Sequence, residues 1–308
     1  MSGMRVIEPG VLSLFQDQGR FGNHSQGLTQ GGPLDAFAFE CANRLVRNAP
    51  NATALEISIG GLTIVCEVET TLAVTGAAMP LTINGQTKAA WRSHRIRPGD
   101  RLELGHTTKG CRGYLAVTRG FVAKKFFGSA STVLREGLGR ALRAGDIMGC
   151  GSSEDEGDLA LPTKEIPSYG DEVCLRVIPG YQHNLFRDTA RGIFFGSEYR
   201  VTNQCDRMGC RLEGSSVEST CPNLLSEGVS LGAIQIPPDG QPIVLLNDLQ
   251  TMGGYPKIGS VLSCDLAHLA QCNPGARVRF EPILVDAAQK ILRQTKARME
   301  SIQLKVCE

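Results

Sequence analysis

The chain has 308 residues, of which 20% are charged and 42% hydrophobic, and its formal net charge is +1. That length suits about two domains. A charge so close to zero removes the electrostatic case for nucleic acid or an anionic membrane surface as a partner.

No apolar run approaches the roughly 18 residues that a membrane-spanning helix needs. The opening MSGMRVIEPG has no apolar core of a secretion signal. Eleven cysteines, an odd number, are scattered singly (Cys41, Cys66, Cys111, Cys150, Cys174 and onward). They fit reduced, mostly buried thiols, and a cytoplasmic protein is expected.

In chain order, short apolar runs dominate. VLSLF (11–15), ALEIS (54–58), LTIVCEV (62–68), TLAVT (71–75), RLEL (101–104) and RGYLAVT (112–118) are each bounded by Gly, Pro or Asn. LTINGQT (81–87) places Asn-Gly between extended residues, a strong hairpin signal. EVCLRVI (172–178), AIQI (233–236), PIVLL (242–246), SVLSC (260–264) and RVRFE (277–281) continue the pattern. With 36 glycines and few aromatics, this spacing reads as a sandwich or barrel and not as alternating βα units.

Three helices interrupt the strands. The first is expected over 33–48, where Leu34, Phe37, Ala38, Cys41, Ala42, Leu45 and Val46 recur at helical spacing. Pro33 suits its first position, and Asp35 its first turn. The second is DLAHLAQ (265–271), with Asp265 as cap. The third covers roughly 284–304, with an apolar stripe through Leu284, Ala288, Ile291, Leu292, Met299 and Ile302.

Residues 151–171 (GSSEDEGDLALPTKEIPSYGD) mix Gly, Ser, Pro and acids without periodicity and read as a linker. An N-terminal domain at 1–150 and a C-terminal domain at 172–308 follow. RPGDRLEL, RAGDIMG and NPGARVRF each place a glycine turn before a short strand, either as traces of a duplicated small barrel or because strand-entry turns look alike.

The standard nucleotide loops, the G-x-S-x-G elbow, C-x-x-C and H-E-x-x-H do not occur, so neither a metal nor a cofactor bound by a recognisable motif is expected. Four polar clusters remain. FQDQGRFGNHSQGLTQGGPLD (15–35) carries Asp17, Arg20, His24 and Asp35 among glycines; Asp17 and Arg20 either face a ligand or pair to brace the loop. TNQCDRMGCRLEG (202–214) packs Asp206, Arg207 and Arg211 together, where a rigid Arg could fork onto an anion or close a local ion pair. SEGVSLGAIQIPPDGQPIV (226–244) carries Glu227, and Gln235 that either points into a site or faces solvent; its PPDG turn makes Asp239 structural. NDLQTMGGYPKIG (247–259) is overlong for a strand connection and holds Asp248, Gln250, Thr251, Gly253, Gly254, Tyr255 and Lys257. Its glycines could let backbone N–H groups approach a substrate oxygen. His268 is either a core-edge residue or a catalyst.

These blocks, in this order, together with CANRLVRN, LEISIGG, GYLAVTRG and GSASTVLREGLGRALRAGD, resemble the carboxyltransferase domain, subdomain A/B family. That family includes allophanate hydrolase subunit 2 and biotin-dependent carboxyltransferases. The chain is most similar to its group of C components of the ATP-hydrolysing 5-oxoprolinase. QGGPLD stands where the family usually has Ser-Gly-Ala-Met-Asp.

The resemblance implies a mainly β fold of two cyclophilin-like β-barrel domains with a few peripheral helices. It implies two partners, the B component of 5-oxoprolinase in a tight heteromer and the A component. It also implies conversion of 5-oxoproline to glutamate with ATP hydrolysed by the complex. Within it, Arg207 and Lys257 would hold an anion. Gln250, Gly253 and Gly254 would polarise the acyl carbon beside Tyr255. Asp248 or Glu227 would move the proton, and Asp17, Arg20 and Asp35 would shape the opposite wall. Two other outcomes fit the same family: the carboxyltransferase half of a biotin-dependent amide or urea carboxylase, and a non-catalytic antagonist of a histidine-kinase inhibitor.

Overall fold

The structure, a computed structural model, describes residues 3–153, 158–221 and 223–307. It divides into two compact units. The first comprises Met1–Phe21, Gly31–Tyr169 and Ile302–Glu308; the second comprises Gly22–Gln30 and Gly170–Ser301.

In the first unit most strands hydrogen-bond as two antiparallel sheets, beside a separate two-stranded pair. One runs, in spatial order, Phe121–Val122, Ile147–Cys150, Gly3–Pro9, Leu62–Cys66, Arg101–Leu104, Leu81–Ile83, Gln86–Lys88. The other runs Leu12–Gln16, Ala54–Ser58, Lys109–Val117, Thr70–Ala78, Ser93–Ile96. Leu55, Ile57, Leu62, Ile64, Leu72, Val74, Leu115 and Val117 belong to one apolar core. The Asn-Gly hairpin forms as expected: Leu81–Ile83 pairs with Gln86–Lys88, and Asn84 and Gly85 both take positive φ, 52° and 75°.

Helix α1 (Ala36–Leu45) starts later than its apolar pattern suggests. Asp35 is its N-cap and not a first-turn residue, because its Oδ1 accepts the Ala38 N–H at 3.0 Å. Thr75 Oγ1 donates to the Ala38 carbonyl at 2.7 Å, which ties α1 to the strand Thr70–Ala78. That strand is therefore buried along nearly its whole length instead of alternating.

The second unit closes on itself. Its strands run Glu172–Pro179, Lys257–Val261, Ala233–Gln235, Ile243–Leu245, Gly209–Glu213, Tyr199–Cys205, Arg277–Pro282 and back to the first. The closing pair is parallel and the others are antiparallel. Closure leaves the barrel no unpaired edge. The mainly β fold with peripheral helices thus stands; ring closure is seen in the second unit, while the first is paired as two sheets.

Helix α2 (Asp188–Gly196) has no strong signal in DTARGIFFG, where two glycines and several β-branched or aromatic residues weaken propensity. Tertiary packing makes it: the Phe194 ring stacks on Phe280 at 4.4 Å. Helix α3 (Ser263–Ala270) begins before Asp265, which is not its cap. Asp265 Oδ2 instead accepts from Arg176 Nε at 2.9 Å and from the Arg176 backbone N–H at 3.0 Å. Helix α4 (Val285–Ser301) buries Ala288 and Met299 but leaves Leu284, Val285 and Leu292 exposed, two of them from the expected stripe.

Of the 151–171 segment, residues 154–157 lie outside the described residues. Leu159–Ala160 pairs with Lys305–Val306, and Tyr169 Oη donates to Asp35 Oδ2 at 2.7 Å. Those contacts place Leu159 through Tyr169 with the first unit. Among the described residues no helix is long and apolar enough to cross a membrane.

Candidate functional site

Four side chains of the second unit converge at the end of the barrel strand Lys257–Val261. Lys257 opens that strand and is almost fully buried, and its ammonium donates to Glu227 Oε1. Gln182 Nε2 donates to the same oxygen at 2.6 Å, and Tyr181 Oη donates to it as well. Gln182 Oε1 accepts the Lys257 backbone N–H at 2.8 Å, so this side chain ties the strand start to the turn after Glu172–Pro179. One carboxylate oxygen thus receives an ammonium, an amide and a phenol.

The electrostatic result follows directly. Lys257, then Tyr181, hold the Glu227 carboxyl below its usual range, against a smaller opposing effect of burial. The same hydrogen bond to Glu227 pushes the Tyr181 phenol up. Glu227 itself sits on a two-residue strand, Glu227–Gly228, paired antiparallel with Met252–Gly253.

Gln235 lies next to this cluster. Its register partner on the neighbouring strand is Lys257, so the two side chains leave the sheet on one face. It is 2% exposed, and among the described residues its Nε2 has no hydrogen-bond partner. The solvated-face alternative for Gln235 is therefore removed.

Gly253 and Gly254 are small for a steric reason. A Cβ on Gly253 would lie 2.4 Å from Gln235 Nε2, and one on Gly254 would lie 2.9 Å from the Leu224 carbonyl oxygen. Gln250 is half-buried beside this strand, and Tyr255 is exposed.

Two expected site residues pair with each other. Arg207 and Asp248 hold each other: Nε and Nη2 each meet a different carboxylate oxygen at 2.9 Å, with both side chains buried. The backbones agree, since the Asp248 N–H reaches the Arg207 carbonyl at 2.8 Å. In the substrate-free chain the guanidinium is thus paired with Asp248, and the carboxylate serves as its counter-ion. The pair still serves the site, because it fixes the first residues of the 247–259 segment against the turn at 206–209. Arg211 makes a local ion pair with Asp239, and Asp239 Oδ1 also accepts the Gln241 N–H at 3.0 Å, as a structural turn residue would.

Asp17, Arg20 and Asp35 are likewise hydrogen-bonded in place. All three are buried in the first unit. Asp17 accepts the N–H groups of Gly19 at 2.9 Å and Ala130 at 2.7 Å, and the Ser129 hydroxyl. Arg20 donates to the Ser131 carbonyl. Asp35 caps α1 and receives Tyr169, while its own N–H reaches Tyr114 Oη at 2.8 Å. Through these backbone and hydroxyl partners the three side chains brace loops of the first unit. His24 and His268 are exposed.

Tyr181 and Gln182 are the functional candidates that sequence reading passes over. The signal was small: an aromatic and an amide directly after a Pro-Gly strand stop.

The chain matches the carboxyltransferase domain, subdomain A and B, over residues 26–282, and belongs to that family. It is 35% identical to the C component of 5-oxoprolinase from Escherichia coli over 306 residues, 97% of each chain. It is 32% identical to the component of the same name from Haemophilus influenzae, again over 97% of each. Among solved structures, the K. lactis urea amidolyase superimposes with a TM-score of 0.91 at 26% identity, covering 98% of this chain but only 20% of that one.

Proposed function

We propose that this chain is the C component of an ATP-dependent 5-oxoprolinase, a hydrolase part active in the cytoplasm as a complex with the A and B components. The observation that carries this reading is similarity: the 5-oxoprolinase relatives are 35% and 32% identical to this chain, and the K. lactis urea amidolyase 26%. The chain itself holds no cofactor in this reading; ATP is consumed by the complex, and biotin has no part.

The net chemistry adds water across the ring C–N bond, oxygen to the carbonyl carbon and a proton to nitrogen. The substrate carries a carboxylate beside its lactam. Lys257, Gln182 and Tyr181 supply three donors aimed at one carboxylate oxygen, which suits that group. In the substrate-free chain Glu227 occupies those donors and is held too acidic to be a good base. When the donors turn to the substrate, Glu227 loses the contacts that depress it, and its basicity rises as the substrate binds. It then accepts the proton of the attacking water. Backbone N–H groups at Gly253 and Gly254 are the candidate donors to the developing oxyanion, with Gln250 and Tyr255 at the margin.

The test is reconstitution with the A and B components, 5-oxoproline and ATP. Glutamate release that requires this chain is expected. An assembled complex that releases none, or one equally active without this chain, overturns the reading; carboxylation of urea by carboxybiotin would favour the carboxyltransferase alternative instead.

A further inference from the structure

We infer that Gln235 is the group that binds the substrate's amide carbonyl, and that the segment formed by Glu227–Gly228 and Met252–Gly253 is a cover that lifts to expose it. The inference rests on the lactam-opening reading for the identity of the substrate, but its physical basis is independent. Gln235 Nε2 is a buried donor inside a closed barrel, with no partner among the described residues. A native interior rarely keeps such a group, because an apolar side chain of similar length would be neutral or stabilising there. Its position gives it a use. It stands on the strand next to Lys257, in register with it, so a planar molecule bound with its carboxylate on Lys257 would carry its carbonyl toward Gln235.

What covers Gln235 is specific. Gly253 packs where no Cβ fits, and Gly253 is the register partner of Glu227. The Val229 N–H to Thr251 carbonyl bond (3.2 Å) and the Leu224 N–H to Gly254 carbonyl bond (2.8 Å) lie within the same segment, so it can move as one body. Lifting it withdraws Glu227 from Lys257, Gln182 and Tyr181 and withdraws Gly253 from Gln235 in one motion. The carboxylate donors and the carbonyl donor are freed together to admit the substrate, after which the segment closes back and returns Glu227 and the Gly253 and Gly254 N–H groups to the reacting carbonyl. Leu225, Met252 and Tyr255 on this segment are exposed, whereas Val229 packs with Ala233, Leu245 and Leu249 and anchors its inner edge, about which the segment lifts.

The experiment is Gln235→Met in the full chain. Its melting temperature is expected to equal or exceed that of the unsubstituted chain, its assembly with the A and B components to be unchanged, and its kcat/KM for 5-oxoproline to fall about 100- to 1,000-fold, as when one preorganised donor is removed. Gln235→Glu, which replaces the donor by an acceptor, is expected to be equally impaired. Undiminished turnover overturns the inference. So does a clear drop in melting temperature with activity falling only as the folded fraction falls. If the unsubstituted complex opens no lactam, the functional reading fails, and binding decides the inference. Urea, 2-pyrrolidone and 5-oxoproline are then titrated onto the full chain by ligand-observed NMR. Binding that is lost in Gln235→Met supports it; no binding to either chain, or equal binding to both, overturns it.

Discussion

Arg207 and Asp248, 41 residues apart, form a two-point ion pair with both N–O distances at 2.9 Å and side chains only 7% and 6% exposed. Removing either partner breaks a buried ion pair, a loss of about 3–5 kcal/mol. Arg207→Met and Asp248→Asn are therefore each expected to lower stability by about that amount, while the double substitution Arg207→Met with Asp248→Leu recovers most of it. Urea denaturation of the three variants checks this. Single variants as stable as the parent would mean that the pair does not form in solution.

Lys257→Met keeps most of the buried stem and deletes the ammonium. The barrel is expected to remain folded by circular dichroism, with assembly intact, while glutamate release by the reconstituted complex falls at least about 100-fold. Glu227→Gln, which retains a hydrogen-bonding side chain but loses the charge, is expected to fail similarly. Activity near that of the parent in both variants would remove the cluster from the mechanism.

The pH response follows from the direction of the shifts. Glu227 is held below its ordinary 4.5 chiefly by Lys257. A depressed folded-state value contributes stability above the unfolded value, and that contribution is lost as pH falls through the folded value. Asp265 acts in the same sense: burial pushes its carboxyl up, but the Arg176 hydrogen bonds outweigh this and hold it down. The chain is expected to keep its stability from neutrality to the ordinary carboxylate range and to lose it below. Glu227 is partly exposed, so solvent screens its share. In Lys257→Met the NMR titration midpoint of Glu227 is expected to rise; an unmoved midpoint would contradict the assigned cause.

Two backbone sites on the paired short strands separate packing from tolerance. Gly253→Ala drives a Cβ to 2.4 Å from Gln235 Nε2, so either the side chain or the short strand must shift. Gly228, on the strand opposite, has open space at the same position. Gly253→Ala is expected to reduce turnover sharply and Gly228→Ala to leave it nearly unchanged. Equal effects in the glutamate-release assay would show that closure over Gln235 is irrelevant.

Much of the fold is legible locally. Short apolar runs bounded by Gly and Pro, and Asn84-Gly85 with its positive φ values, mark strands and a hairpin wherever the chain is read. The richness of the 226–259 region in amides, glycines and charges marks where chemistry belongs, and Glu227, Gln235 and Lys257 do come together there. Helix α2 escapes because its propensity is poor and its stability comes from Phe194 on Phe280, which lies far along the chain.

Residue types and their spacing determined on their own that this is a mainly β chain of one family, with its polar groups concentrated between Ser226 and Gly259. Only the tertiary structure decided which of those groups are occupied. Asp248 is as good a base as Glu227 when read in sequence, and Arg207 as good an anion holder as Lys257. Barrel closure sets Arg207 against Asp248 in a dry two-point contact, leaves Glu227 at the surface end of Lys257, and encloses Gln235 without a partner for its Nε2. The reason is physical: strand periodicity is a property of neighbouring residues, whereas the partner of a buried charge depends on which distant strands the closed ring makes adjacent.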